Sequence, residues 1–506
     1  MAKPGTPENA RTLGASTATV VGRSFSFRMV SQVLSALINV AAMVLLVKYL
    51  ATEGYGEYAF YYALIPLIAC LSDLGIGVII TREVAQNREA GPRAMGDALL
   101  IKGAVSGTLL LVVLLPAALL FPPAQALLIC LVTATALIDT GQDVGISILR
   151  GRDRQDLEAL LLMFSQVTWL AGIALCAHLG APLPFLLGAA TIAFLLRFAL
   201  GLLLVTRLLY RPVFAPNWER LKGIAMAGLP FGLAMFTVVL YGRIGILLLK
   251  GFSSDADVAY FNVGYMLSQP LGFIGSGLAI SAFPSLARLV PLGPQRVGAA
   301  LRRLVKFQFL VALPLSAGLF ILSERVVQLL FHLGSLRQAG IALKLMSLGL
   351  ALIFLNLMCR YVLAALDAQR SYLRAMLIGL LVNVVLSAAL IHWLGFAGAC
   401  LGLLGGELTV LAISMRGLRG YLHPMDFLRE LWRPLLASAG MGIVVFLLRG
   451  ANLVLLPFVG AAVYVALVLL LRTLSSEEVQ ALRGVYISLR LPGSALLMRV
   501  RAESRT

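Results

Sequence analysis

Apolar positions run in blocks of about 20 residues, the length of a helix that crosses a bilayer, and short polar connections rich in Arg, Gly and Pro divide them. Fourteen such blocks can be read, centred on 25–47, 57–80, 97–120, 124–148, 157–179, 183–206, 224–249, 259–283, 307–323, 341–364, 373–394, 396–415, 434–449 and 453–471. They predict an all-α polytopic membrane protein. Composition agrees: 60% of the 506 residues are hydrophobic and only 13% are charged, more apolar surface than a water-soluble chain of this length can bury. The polar start, "MAKPGTPENARTLGASTATVVGRS", has no apolar core followed by a cleavage site, so no signal peptide is expected. Cys70, Cys130, Cys176, Cys359 and Cys400 lie far apart in apolar stretches and read as buried thiols. Neither a metal nor a cofactor is expected from the residue spacings.

The net charge of +18 would suit nucleic acid if it formed one patch. It does not. Of the 41 Lys and Arg, thirty fall in the two tails and the connections after even-numbered spans, and six in the connections after odd-numbered ones. The other five, Arg28, Lys102, Arg197, Arg243 and Arg360, are placed within spans, with Lys344, Arg374 and Arg449 at block edges counted in the adjoining connections. That asymmetry predicts a cell membrane protein with both termini cytoplasmic. The neighbours of the basic loops are then anionic lipids, and nucleic acid is not an expected partner. Two stretches, "RGLRGYLHPMDFLRELWR" (416–433) and "SSEEVQALRGVYISLRL" (475–491), mix basic and apolar residues and are expected to lie along the cytoplasmic face.

A weak repeat runs through the chain. Shifted by 202 positions, Lys48 meets Lys250, Glu53 meets Asp255 and Tyr58 meets Tyr260; shifted by 214, "LRGRDRQ" meets "LAALDAQ" and His178 meets His392. The expected organisation is two six-helix lobes, 1–210 and 211–420, in a pseudo-twofold arrangement, followed by an additional helix pair and tail, 421–506. Halves of even helix number share one orientation, as in transporters that rock about a central cavity.

Ionisable residues inside spans mark candidate sites. From Arg28, the residues Ser31, Gln32, Ser35 and Asn39 follow at helical spacing and form one polar face. Span 8 repeats the pattern with Asn262, Tyr265, Gln269 and Ser276, and span 10 places Asn356 one turn from Arg360. Arg197 lies near the middle of span 6. Arg243, in "FTVVLYGRIGILLLKG", shares its face with apolar residues and lies between Gly242 and Gly245, so it faces either a cavity or a structural partner. Asp139 and Asp143, one turn apart, either carry a proton or neutralise cavity arginines, and Glu407 invites the same two readings. Lys102 is expected to snorkel to the near interface. Arginines fixed in a wet cavity would grip an anion such as a pyrophosphate.

The stretch "YLATEGYGEYAFYYALIPLIACLSDLGIGVIITREVA", with Gly54-Tyr55-Gly56 and Asp73-Leu74-Gly75, resembles the opening of the bacterial oligosaccharide flippases (Wzx-like), in the same superfamily as the lipid II flippases and the MATE exporters. "GLPFGLAMFTVVLYGRIGILLLKGFSSDADVAYFNVGYM" and "AALDAQRSYLRAMLIGLLVNVVLSAALIHWLGFAGACLG" continue the likeness over roughly residues 20 to 420. The resemblance implies a transporter rather than an enzyme. It would move undecaprenyl-pyrophosphate-linked oligosaccharide from the cytoplasmic to the outer leaflet for surface polysaccharide synthesis. A polymerase and other assembly proteins would be its partners, besides membrane lipids. Expected substrate contacts are Arg28, Gln32, Asn39, Arg197, Arg243, Asn262, Gln269 and Arg360. Ion coupling falls to Asp139, Asp143 or Glu407, or is absent, because Gly245 stands where many relatives carry an acid. The rival readings are a MATE-like drug or metabolite antiporter and, from another class, a polytopic glycosyltransferase or polymerase.

Overall fold

A computed structural model describes residues 7–331, 334–474 and 478, with side chains from residue 31 onward except 335 and 424. Its described residues fold into helices α1 (Pro7–Asp73), α2 (Ile76–Gln86), α3 (Gly91–Leu120), α4 (Pro123–Gly151), α5 (Gln155–Leu179), α6 (Leu183–Leu208), α7 (Trp218–Phe252), α8 (Asp255–Ser268), α9 (Gly272–Leu289), α10 (Pro294–Phe331), α11 (Arg337–Ala365), α12 (Gln369–Leu394), α13 (Phe396–Gly417), α14 (Pro424–Leu447) and α15 (Leu456–Leu470). Twelve apolar stretches are long enough to cross a membrane, and α15 is a shorter apolar helix. One of the twelve, Ser31–Asp73, holds two crossings, since Ala51 at φ 56° breaks α1 into two limbs. With α15 included, fourteen crossings result.

Three details differ from the sequence pattern. Span 2 does not run unbroken through residue 80. It stops at Leu74 and Gly75, which take left-handed backbone angles that Gly75 adopts without the usual steric cost. Span 8 is split into α8 and α9 by a single 3₁₀ turn at Gln269–Leu271, where Pro270 removes a backbone donor. The cytoplasmic-face helix expected at 416–433 and span 13 merge instead, because Pro434 is tolerated inside the continuous α14. The second such stretch, 475–491, lies outside the described residues apart from Glu478.

The apolar cores explain how the helices are arranged. One large cluster joins both halves near the connections after odd-numbered spans: Leu46, Tyr58, Trp169 and Leu186 pack with Leu249, Phe261, Phe331 and Leu343. At the opposite end, near the connections after even-numbered spans, the cores separate. Ile80, Met95, Ile148 and Leu161 form one, and Leu301, Phe309, Met358 and Leu363 form another. Helices α14 and α15 pack on α10 through Ala437, Met441 and Leu322. Two lobes fused at one end and parted at the other leave space between them.

The fused end is sealed closely. Gly56, at the start of the second limb of α1, passes so near the start of α8 that a Cβ on it would fall 1.8 Å from the Asp255 carbonyl oxygen. Buried Asn262 of α8 donates to the Tyr55 hydroxyl at 2.8 Å, and Lys250 holds Asp255 at 2.5 Å. At the other end, α7 carries the contact between the halves: Ile224 joins the Ile80 core, and Gly228 and Gly232 lie against Leu74 and Gly75. Arg220 of α7 grips Glu83 and buried Asp97 of the first half, each at 2.6 Å.

Candidate substrate cavity

The space between the parted cores includes a cavity of about 620 Å³, lined by α7, α8, α9, α11, α12 and α13, with Gln32 of α1 on its rim. Its polar lining is Gln32, Tyr241, Tyr265, Gln269, Ser276, Asn356, Arg360, Tyr361, Tyr372 and Glu407, set among Val238, Phe273, Ile353, Leu357 and Leu403. The 3₁₀ turn between α8 and α9 turns Gln269 into this space, where its amide donates to the Tyr265 hydroxyl at 2.7 Å. Asn356 of α11 donates to the Glu407 carboxylate at 2.5 Å and to the Glu407 carbonyl at 3.0 Å. Arg360, one turn further along α11, is exposed, with its guanidinium 5.9 Å from the Tyr361 ring.

Arg243 is half-buried and is not itself among the lining residues. Its guanidinium lies 5.9 Å from the centroid of the Tyr265 ring, a cation–π contact, and no ion pair to it is found among the described residues. Its charge also acts on Tyr55 and Tyr62 of the second limb of α1. Its neighbour Gly245 is closed off: a Cβ there would fall 2.6 Å from the Phe261 ring. An aromatic ring occupies the room an acid would need.

The candidates from the first half meet elsewhere. Lys102 of α3, expected at the interface, is instead 2% exposed and lies between Asp73 at 2.6 Å and Asp143 at 2.9 Å, with the Thr140 carbonyl at 3.3 Å. An ammonium cannot snorkel when two carboxylates hold it inside; the pairing is what makes its burial tolerable. Asp139 accepts from Gln142 at 2.5 Å and feels the charge of half-buried Arg197 across α4 and α6.

Gln32, Gln269, Arg360 and Glu407 thus share one cavity, and Arg243 stands one ring away. Arg197, Asp139 and Asp143 belong to a separate buried cluster. Asn262 is in the seam that closes the fused end, committed to Tyr55. Asn39 is half-buried on the Gln32 face of α1, outside the cavity lining. The Arg28 side chain lies outside the described residues. Sequence reasoning missed the Arg220–Glu83–Asp97 tie, because Arg220 looked like one more basic loop residue.

Residues 21–290, more than half of the chain, match the model of a family described as polysaccharide biosynthesis protein. The chain belongs to that family. Residues 230–389 also match the MatE family model. The chain is 25% identical over 351 residues to a probable lipid II flippase MurJ of Thermotoga maritima, covering 66% of this chain and 68% of that one. Among solved structures it is similar to lipid II flippase MurJ in an inward closed conformation, with a TM-score of 0.73, 14% identity, and 88% of this chain and 99% of that chain covered. An inward-facing multidrug resistance MATE transporter of the MOP superfamily gives a TM-score of 0.63 at 18% identity, over 78% of this chain and 95% of its own. This polysaccharide biosynthesis family member is a multi-pass membrane protein with the all-helical fold of those flippase and MATE structures.

Proposed function

We propose that the protein is a flippase for an undecaprenyl-pyrophosphate-linked oligosaccharide, moving it by alternating access from the cytoplasmic to the outer leaflet. The observation that carries the reading is a polar, cation-bearing cavity between the separate cores, with a tightly packed seam at the opposite end. Arg360 at the cavity wall and Arg243 beside Tyr265 offer positive charge to a pyrophosphate, and the amides of Gln32 and Gln269 offer donors to a glycan. The polyprenyl tail stays in lipid. The loop charge supports a cytoplasmic position for the termini and for the open end, where such a precursor is made. The seam of Gly56, Tyr55 and Asn262 must part for release on the far side.

The test uses cells lacking the gene, complemented with the wild type or with Arg243→Ala and Arg243→Lys at matched membrane levels. Surface polysaccharide restored by the wild type and lost with the alanine variant supports the reading; full restoration by the alanine variant refutes the role of Arg243. A second reading, a MATE-like antiporter, draws on the MatE match over the helices that build the cavity. It predicts altered susceptibility to cationic drugs in the deletion strain with surface polysaccharide intact.

A further inference from the structure

The acids of the membrane interior divide into two kinds. Asp73 and Asp143 share Lys102, Asp97 and Glu83 share Arg220, and Asp139 faces the charge of Arg197. Glu407 is different. Among the described residues it forms no ion pair, and it opens on the cavity. The groups facing it from the packed helices are Tyr241 of α7, Tyr265 of α8, Asn356 and then Arg360 of α11, and Tyr372 of α12. Arg360, the one cation in that set, is exposed and does not contact the carboxyl.

A lone carboxylate in a low-dielectric wall is costly, and binding a proton removes the cost. The site is ready for both forms. Charged, Glu407 accepts from the Asn356 amide at 2.5 Å. Neutral, it has a hydrogen to give, and the same amide carries a suitable acceptor. Asn356 is 4% exposed, and its Oδ1 is buried with no hydrogen-bond partner. A rotation of the amide exchanges donor for acceptor without moving a helix.

We infer that Glu407 is the proton-binding group of this transporter, loading and unloading one proton as the cavity changes sides. The carboxylate oxygen takes H⁺ from cavity water when the cavity opens to one side, and the O–H bond breaks to return it to water on the other. Asp143 cannot serve, since Lys102 already supplies its positive charge. The inference rests on the alternating-access reading for its role in transport, but the titration of Glu407 does not depend on which substrate moves.

Two measurements test it. The first is infrared difference spectroscopy of the purified full chain in lipid, titrated from alkaline to acidic pH in sodium-free buffer, which reads the carbonyl stretch of a protonated buried acid. The second is surface polysaccharide in complemented cells. The wild type is expected to show a titrating band, which Glu407→Gln lacks and Glu407→Asp retains at a shifted position. Export should fall on the order of 5- to 150-fold in Glu407→Gln, the range of ordinary coupling between sites, and Glu407→Asp should recover part of it. A band that survives in Glu407→Gln, or one absent from the wild type, overturns the proposal. So does normal export by Glu407→Gln, or a band that appears only when sodium is removed. If the band behaves as expected but cells lacking the gene make normal surface polysaccharide, the flippase reading falls and the proton site stands.

Discussion

The buried polar cluster of the first half and the cavity of the second half carry similar residues and differ in how charge is balanced. Around Lys102, two half-buried carboxylates and a backbone carbonyl satisfy one buried ammonium, and the cluster is paired. Around Glu407 there are an amide, phenols and open volume, with the nearest cations held apart from it. Paired buried charges hold helices in place; unpaired charges beside water bind something that comes and goes. The first half is thus built as a clamp and the second as a binding wall. The seam through Tyr55 and Asn262 couples them.

Removing one member of each arrangement separates these roles. The largest effect on folding is expected for Lys102→Ala, which leaves Asp73 and Asp143 as uncompensated half-buried acids and costs about 3–5 kcal/mol. Thermal unfolding in detergent and membrane level should both drop sharply; an unchanged melting temperature would break the contrast. Next comes Arg243→Ala, expected to leave stability nearly intact while weakening substrate binding by about 1.5–3 kcal/mol, the range for hydrogen bonds to a charged group. Titration with a soluble pyrophosphate-linked glycan checks it. Tyr55→Phe removes the Asn262 hydrogen bond from the seam at a cost of about 0.5–1.5 kcal/mol. It should raise accessibility of a cysteine placed at Glu53, read by labelling from the far side. The smallest effect on stability is expected for Glu407→Gln, below about 1 kcal/mol, since no ion pair is lost. A large loss of stability there would make Glu407 a structural residue like Asp143.

Much of the architecture was legible because lipid forces every backbone group into helices, so each crossing leaves a block of apolar letters. Ala51 escaped notice, since nothing in its chemistry signals a left-handed angle. The cavity was partly legible: the helical spacing of Gln32 and of Gln269 marked faces that do meet water. Pairing was not. Lys102 and Glu407 look alike in sequence, single charges in apolar runs. Which one has partners depends on α1 and α4 closing around α3, contacts between residues 29 and 41 positions apart. Asn262 misled for the same reason. Its stripe continues that of Gln269, but the break at Gln269–Leu271 sends the two to different places.

The central claim is that positive charge in the second half grips a phosphorylated lipid and carries it across. Liposomes containing the purified protein and a fluorescent undecaprenyl-pyrophosphate sugar, quenched from one side, measure that directly. The account predicts leaflet exchange with the wild type and a loss on the order of 10- to 100-fold in Arg243→Ala combined with Arg360→Ala. Equal exchange by the double variant, or none above protein-free liposomes with the wild type, would contradict it.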